Sequence, residues 1–135
     1  MTDSLIRAAK RGDLVALQEA IRSNANLNVT DSGGWTPLFH AAHQGCIEAL
    51  KLLIQAGADV NHGKKTGFTA LFSAVMGGHV EAVRILLNAG AEIIPVQGIE
   101  LRGYSIRTDS PKHEIILRML DEHHAKQRRS QADNS

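Results

Sequence analysis

The sequence predicts an all-α fold built as a stack of short helical units. Three observations carry that prediction. First, the stretch 34–61, G-W-T-P-L-F-H-A-A-H-Q-G-C-I-E-A-L-K-L-L-I-Q-A-G-A-D-V-N, meets itself on a shift of 33 residues. Gly34, Thr36, Leu38, Ala41, Gly45, Glu48 and Gly57 fall on Gly67, Thr69, Leu71, Ala74, Gly78, Glu81 and Gly90. A fixed period of this size marks units that cannot bury their apolar faces alone and share one core by stacking. Second, apolar residues recur at helical spacing, as in Ile47, Leu50, Leu53, Ile54 and Val80, Val83, Leu86, Leu87. Third, glycines stand at fixed places between the apolar segments, where helices end.

The register extends in both directions. Leu5, Ala8, Ala9 and Gly12 precede Leu38, Ala41, Ala42 and Gly45 by 33, and Glu114, Ile116 and Leu120 follow Glu81, Val83 and Leu87 by the same step. The chain therefore divides into an opening repeat (3–30), two full repeats (31–63 and 64–96) and a divergent closing repeat (97–125). Residues 126–135, K-Q-R-R-S-Q-A-D-N-S, have no apolar face and read as a disordered tail. At 135 residues this is one domain, long enough to bury about two-thirds of its unfolded surface.

The first helix of each repeat is short: 4–11, 37–44 and 70–77. Asp3, Thr36 and Thr69 share the capping position, and Pro37 follows where a missing N–H costs nothing. Ala8, Ala41 and Ala74 let neighbouring first helices approach closely, and Gly12, Gly45 and Gly78 stop them in a left-handed conformation. The second helices are predicted over 14–23, 47–56, 80–89 and 113–124. Gly57 and Gly90 terminate two of these. Asn24, which tolerates the left-handed region, and His123, which tolerates it less well, hold the equivalent places.

The stretch 34–61 resembles an ankyrin repeat, whose pattern runs G-x-T-P-L-H-x-A-A-x-x-G-H and continues into an apolar helix ending G-A-D-V-N. The resemblance implies an ankyrin-repeat solenoid of antiparallel helix pairs joined by β-turn fingers, and a role in binding another protein. Residues 31–34 and 64–67 have the turn composition that such fingers need. Residues 93–104 depart from the pattern. They are apolar and partly alternating, and read as an extended hairpin or an unusual last finger. The same stretch is apolar enough to pair with a second copy, although a monomer is the simpler expectation.

The chain also departs from the family pattern within the repeats. Phe39 stands where the pattern has histidine, with Ile6 and Phe72 at the matching places. His40 comes one residue late. The family's Thr–His network is therefore not expected, and an apolar row at 6, 39 and 72 takes its place. The histidine after the glycine is kept only at His79, with Asp13 and Cys46 in the other repeats.

In ankyrin-like proteins the partner contacts come from the finger tips and the concave face of the first helices. The matching positions form rows at 33-residue spacing. One row is Trp35, Phe68 and Leu101; another is Lys10, His43, Met76 and Asp109. Arg11 and Gln44 adjoin the second row, while Ser32 and Lys65 lie on the fingers. Stacking is expected to bring Trp35 and Phe68 into an apolar strip flanked by Lys10, Arg11 and Lys65. Aromatic residues beside cations are what protein interfaces concentrate. The plainer alternative folds both rings back onto the repeat, where they only brace the finger.

Other chemistries have weaker support. His40, His43 and Cys46 are spaced by three and offer zinc-type ligands for a metal-dependent enzyme or sensor, although zinc needs a third or fourth ligand at tetrahedral distance. The plainer reading makes the histidines helix-surface residues and Cys46 a small turn residue. Lys10, Arg11, Lys64, Lys65 and the tail cations around Trp35 suggest a nucleic-acid contact, but 15 basic against 14 acidic residues exert little general pull on polyanions. No phosphate-cradling glycine loop or nucleophile–base motif is present in the sequence, so neither an enzyme nor a cofactor is expected. One cysteine, no signal-peptide pattern and no long apolar run lead to the expectation of a soluble, cytoplasmic protein.

Overall fold

The computed structural model describes residues 2–96 and 111–133. Seven helices are found there: α1 (Thr2–Arg11), α2 (Leu14–Arg22), α3 (Pro37–Gln44), α4 (Ile47–Gln55), α5 (Ala70–Met76), α6 (Val80–Asn88) and α7 (Pro111–Asp133). α1, α3 and α5 pack side by side as one layer. α2, α4, α6 and α7 form the other, and each short helix also packs on the partner that follows it.

Local chemistry sets the helix boundaries. Thr36 Oγ1 accepts from the N–H of Phe39 at 3.2 Å, and Thr69 Oγ1 accepts from that of Phe72 at 3.3 Å. Asp13 caps α2 by accepting from the N–H of Ala16 at 3.2 Å, a role its position after Gly12 had not suggested. α1 begins at Thr2, so Asp3 lies within the helix and not at the N-cap position the register gave it. Asn24 occupies the left-handed region at φ 57°, as its place in the repeat predicts.

The seam between the layers is aliphatic. Leu17, Leu38, Leu50, Leu53, Leu71, Leu86 and Ile116 are fully buried along it. Ala8, Ala41 and Ala74 are buried between first helices, where a larger side chain would push the helices apart. Polar latches tie one repeat to the next. Asn28 Oδ1 accepts from the N–H of Asp59 at 2.9 Å, and Asn61 Oδ1 accepts from that of Glu92 at 2.7 Å. Asn61 Nδ2 also donates to the carbonyl of Gly90 at 3.1 Å.

Gly45 shows why the repeat demands glycine there. Its φ is 69°, and a Cβ would lie 2.6 Å from Nδ1 of His79 in the next repeat. His79 holds that position because its Nε2–H donates to the carbonyl of His43 at 3.0 Å. Cys46 covers Gly12 and His113 covers Gly78 in the same manner, so a side chain of each repeat roofs the glycine of the one before.

Two expectations are corrected. The last helix does not stop near 124 but continues to Asp133, through most of the segment expected to be a disordered tail. Ala, Lys, Gln and Arg are good helix formers, and lengthening a docked helix needs no new nucleus. His123 accordingly lies within the helix. Of the stretch 93–104, only 93–96 is described, and the rest of the expected hairpin lies outside the described residues. Val96 is fully buried against the second finger, where a Cβ on Gly67 would meet the carbonyl oxygen of Pro95 at 2.6 Å.

Candidate functional site

Asp31 builds the first finger. Its Oδ1 accepts from the N–H groups of Gly33 at 2.9 Å and Trp35 at 3.0 Å. Its backbone N–H donates to the carbonyl of Trp35 at 3.1 Å and closes the turn. Nε2–H of His40 donates to Oδ2 at 2.7 Å, so the first turn of α3 is tied to the finger that precedes it. His40 is thus a buried structural residue, not the helix-surface side chain that the sequence suggested. Because it follows Phe39, it faces back toward Asp31. Burial by itself pushes the Asp31 carboxyl up. The Trp35 N–H, the His40 ring and the Gly33 N–H together outweigh this and hold it below its ordinary value.

With the finger held this way, Trp35 stacks on Phe39 with ring centroids 4.3 Å apart and planes 14° apart. Trp35 meets Phe68 edge to face at 5.9 Å, and Phe68 meets Phe72 edge to face at 5.2 Å. Offset-stacked and edge-to-face pairs are the arrangements that aromatic quadrupoles favour. Four rings therefore run from α3 through both fingers to α5, and all four are half-buried. The strip forms at Trp35 and Phe68 as the register requires, and both rings also brace their fingers. At the expected apolar row, Ile6 is buried while Phe39 and Phe72 belong to the ring run.

The second candidate row occupies equivalent places on three adjacent helices. Lys10 and Arg11 are exposed on the last turn of α1, His43 and Gln44 on that of α3, and Met76 on that of α5 with 40% of its surface accessible. Ser32 and Lys65 are exposed on the fingers. Leu101 and Asp109 lie outside the described residues. The sequence reading missed Arg7, which shares a helix face with Lys10 and Arg11 through its spacing of three and four. Arg7, Lys10, Ile6 and Asp31 line a cleft of about 220 Å³ between α1 and the first finger. A larger open cleft of about 470 Å³ lies along the second finger, with His62, Lys64 and Lys65 among its walls.

The metal alternative does not survive the geometry. His40 Nε2 is engaged by Asp31, and His43 is exposed. Cys46, half-buried, stands at the head of α4 over Gly12. Among the described residues no three His, Cys, Asp or Glu side chains come together as a metal site.

These features define a class: a helical-repeat solenoid whose first helices and turns present one continuous face. A family model described as "Ankyrin repeats (3 copies)" matches residues 5–96, and the chain belongs to the ankyrin-repeat family. No curated protein matches the chain. Ankyrin repeats are generally protein–protein interaction modules. Among the described residues no helix is long and apolar enough to cross a membrane.

Proposed function

We propose that this protein is an intracellular adaptor or inhibitor that holds a protein partner against its fingers and first-helix face. The partner rests on Trp35, Phe68 and Met76, with Lys10, Arg11, Ser32, His43, Gln44 and Lys65 around them, and Leu101 is assigned to the same row. The observation that carries this reading is the half-buried aromatic run beside exposed Met76 and exposed cations. A few aromatic anchors within a polar rim supply most of the energy in such contacts. Catalysis has no part in this role, and the single cysteine suits a reducing compartment.

The test uses exposed positions, because Trp35 and Phe68 also brace the fingers. His43→Glu with Met76→Glu should leave the melting temperature nearly unchanged and remove partner capture from a lysate of the native host, read by mass spectrometry. Glu48→Lys, on the second-helix layer, should leave capture intact. Equal capture by all three proteins would sink the reading.

A further inference from the structure

Cations outnumber acids on the first-helix and finger face of this nearly neutral chain, while the second-helix layer is close to balanced. On the first helices and fingers, over residues 2–11, 31–45 and 62–77, the cations are Arg7, Lys10, Arg11, Lys64 and Lys65, and the acids are Asp3 and Asp31. Both Asp31 oxygens are engaged by the finger and by His40. The second-helix segments 13–22, 46–59 and 79–92 carry the acids Asp13, Glu19, Glu48, Asp59, Glu81 and Glu92 against Arg22, Lys51 and Arg84, and α7 in the same layer carries both signs, with Lys112, Arg118, Lys126, Arg128 and Arg129 against Glu114, Asp121, Glu122 and Asp133. The five finger-face cations are exposed and have no ion-pair partner among the described residues.

We propose that this face takes an acidic segment of a partner protein, with an aliphatic or aromatic residue of that segment seated beside Met76 and the Trp35–Phe68 edge. The proposal rests on the interaction reading above and names the chemistry of the partner. The net charge of +1 would not reveal it, because the field that steers a partner comes from the local arrangement of charge. Neighbouring helices sit about 9 Å apart and an extended chain rises about 3.3 Å per residue, so about six residues span α1, α3 and α5. Carboxylates at both ends of such a segment reach Arg7, Lys10 and Arg11 on one side and Lys64 and Lys65 on the other. A single-stranded nucleic acid is the competing polyanion. It gains its affinity by stacking bases on free ring faces, and here Trp35 and Phe68 are already paired with Phe39 and Phe72.

Fluorescence anisotropy with three labelled probes tests the proposal: the peptide E-E-L-F-E-E, its counterpart K-K-L-F-K-K, and a thymidylate oligomer of about 15 nucleotides. The acidic peptide should bind, the lysine peptide should not, and raising the salt should weaken binding. Replacing Lys10, Arg11, Lys64 and Lys65 together by Glu should weaken the acidic peptide at least about tenfold with the melting temperature kept. Equal binding of the two peptides, tighter binding of thymidylate, or an unchanged affinity in the charge-reversed protein would overturn the proposal. Lysate capture by the same variant separates the two readings. If charge reversal keeps capture and Met76→Glu loses it, the interaction module stands and the acidic partner falls. If neither variant loses capture, both fall.

Discussion

Asp31 and His40 show how one displaced residue changes a local network. With phenylalanine at position 39, the histidine at 40 cannot occupy the family's usual place beside the threonine. It reaches back to the finger instead, and Thr36 is left to cap α3 alone. The clamp has a defined pH dependence. Asp31 is held below its ordinary value of 3.8, so its charged form contributes stability above that pH. The contribution is lost as pH falls through the lowered value. Asp31→Asn should cost about 1.5–3 kcal/mol near neutrality, the usual range for hydrogen bonds to a charged group. The variant should also lose less stability than the wild type on acidification below about pH 4. Urea titrations at pH 7 and pH 3 measure this, and a penalty of equal size at both values would contradict it.

Helix α7 combines two roles along its length. Ile116 and Leu120 are buried against the stack, while the described side chains from Lys126 onward are exposed. The first part docks because it presents an aliphatic stripe to α6. The second is helical because its residues favour the helix and the docked turns have already borne the cost of nucleation. Ending the chain after Ala125 should therefore change unfolding free energy by no more than about 0.5 kcal/mol while lowering the helical circular-dichroism signal. A large loss of stability would place the extension against the body of the protein.

For the whole molecule, stability is carried by neighbour contacts along the stack. Leu53 lies in the middle repeat at the centre of the aliphatic seam. Leu53→Ala should cost about 2–5 kcal/mol, because the surrounding helices cannot fully collapse onto the cavity. Denaturant unfolding measures this, and a cost below about 1 kcal/mol would show that the seam relaxes freely. The roofing of each repeat's glycine by the next adds a second tie between units, alongside the Asn28 and Asn61 latches. The cation excess on the first-helix and finger face also belongs to this scale, because successive repeats together make that face.

The repeat, its helices and their glycine stops follow from the sequence alone, because they depend on local periodicity, capping and backbone sterics. Thr36, Thr69, Asn24 and Gly45 act as their positions predict. The alignment of Trp35 with Phe68 was also legible, since the period puts equivalent residues side by side. The inward turn of His40 and the pairing of the rings with Phe39 and Phe72 were decided by tertiary structure. Each depends on which way a side chain points once neighbouring repeats have docked, and chain spacing does not carry that information.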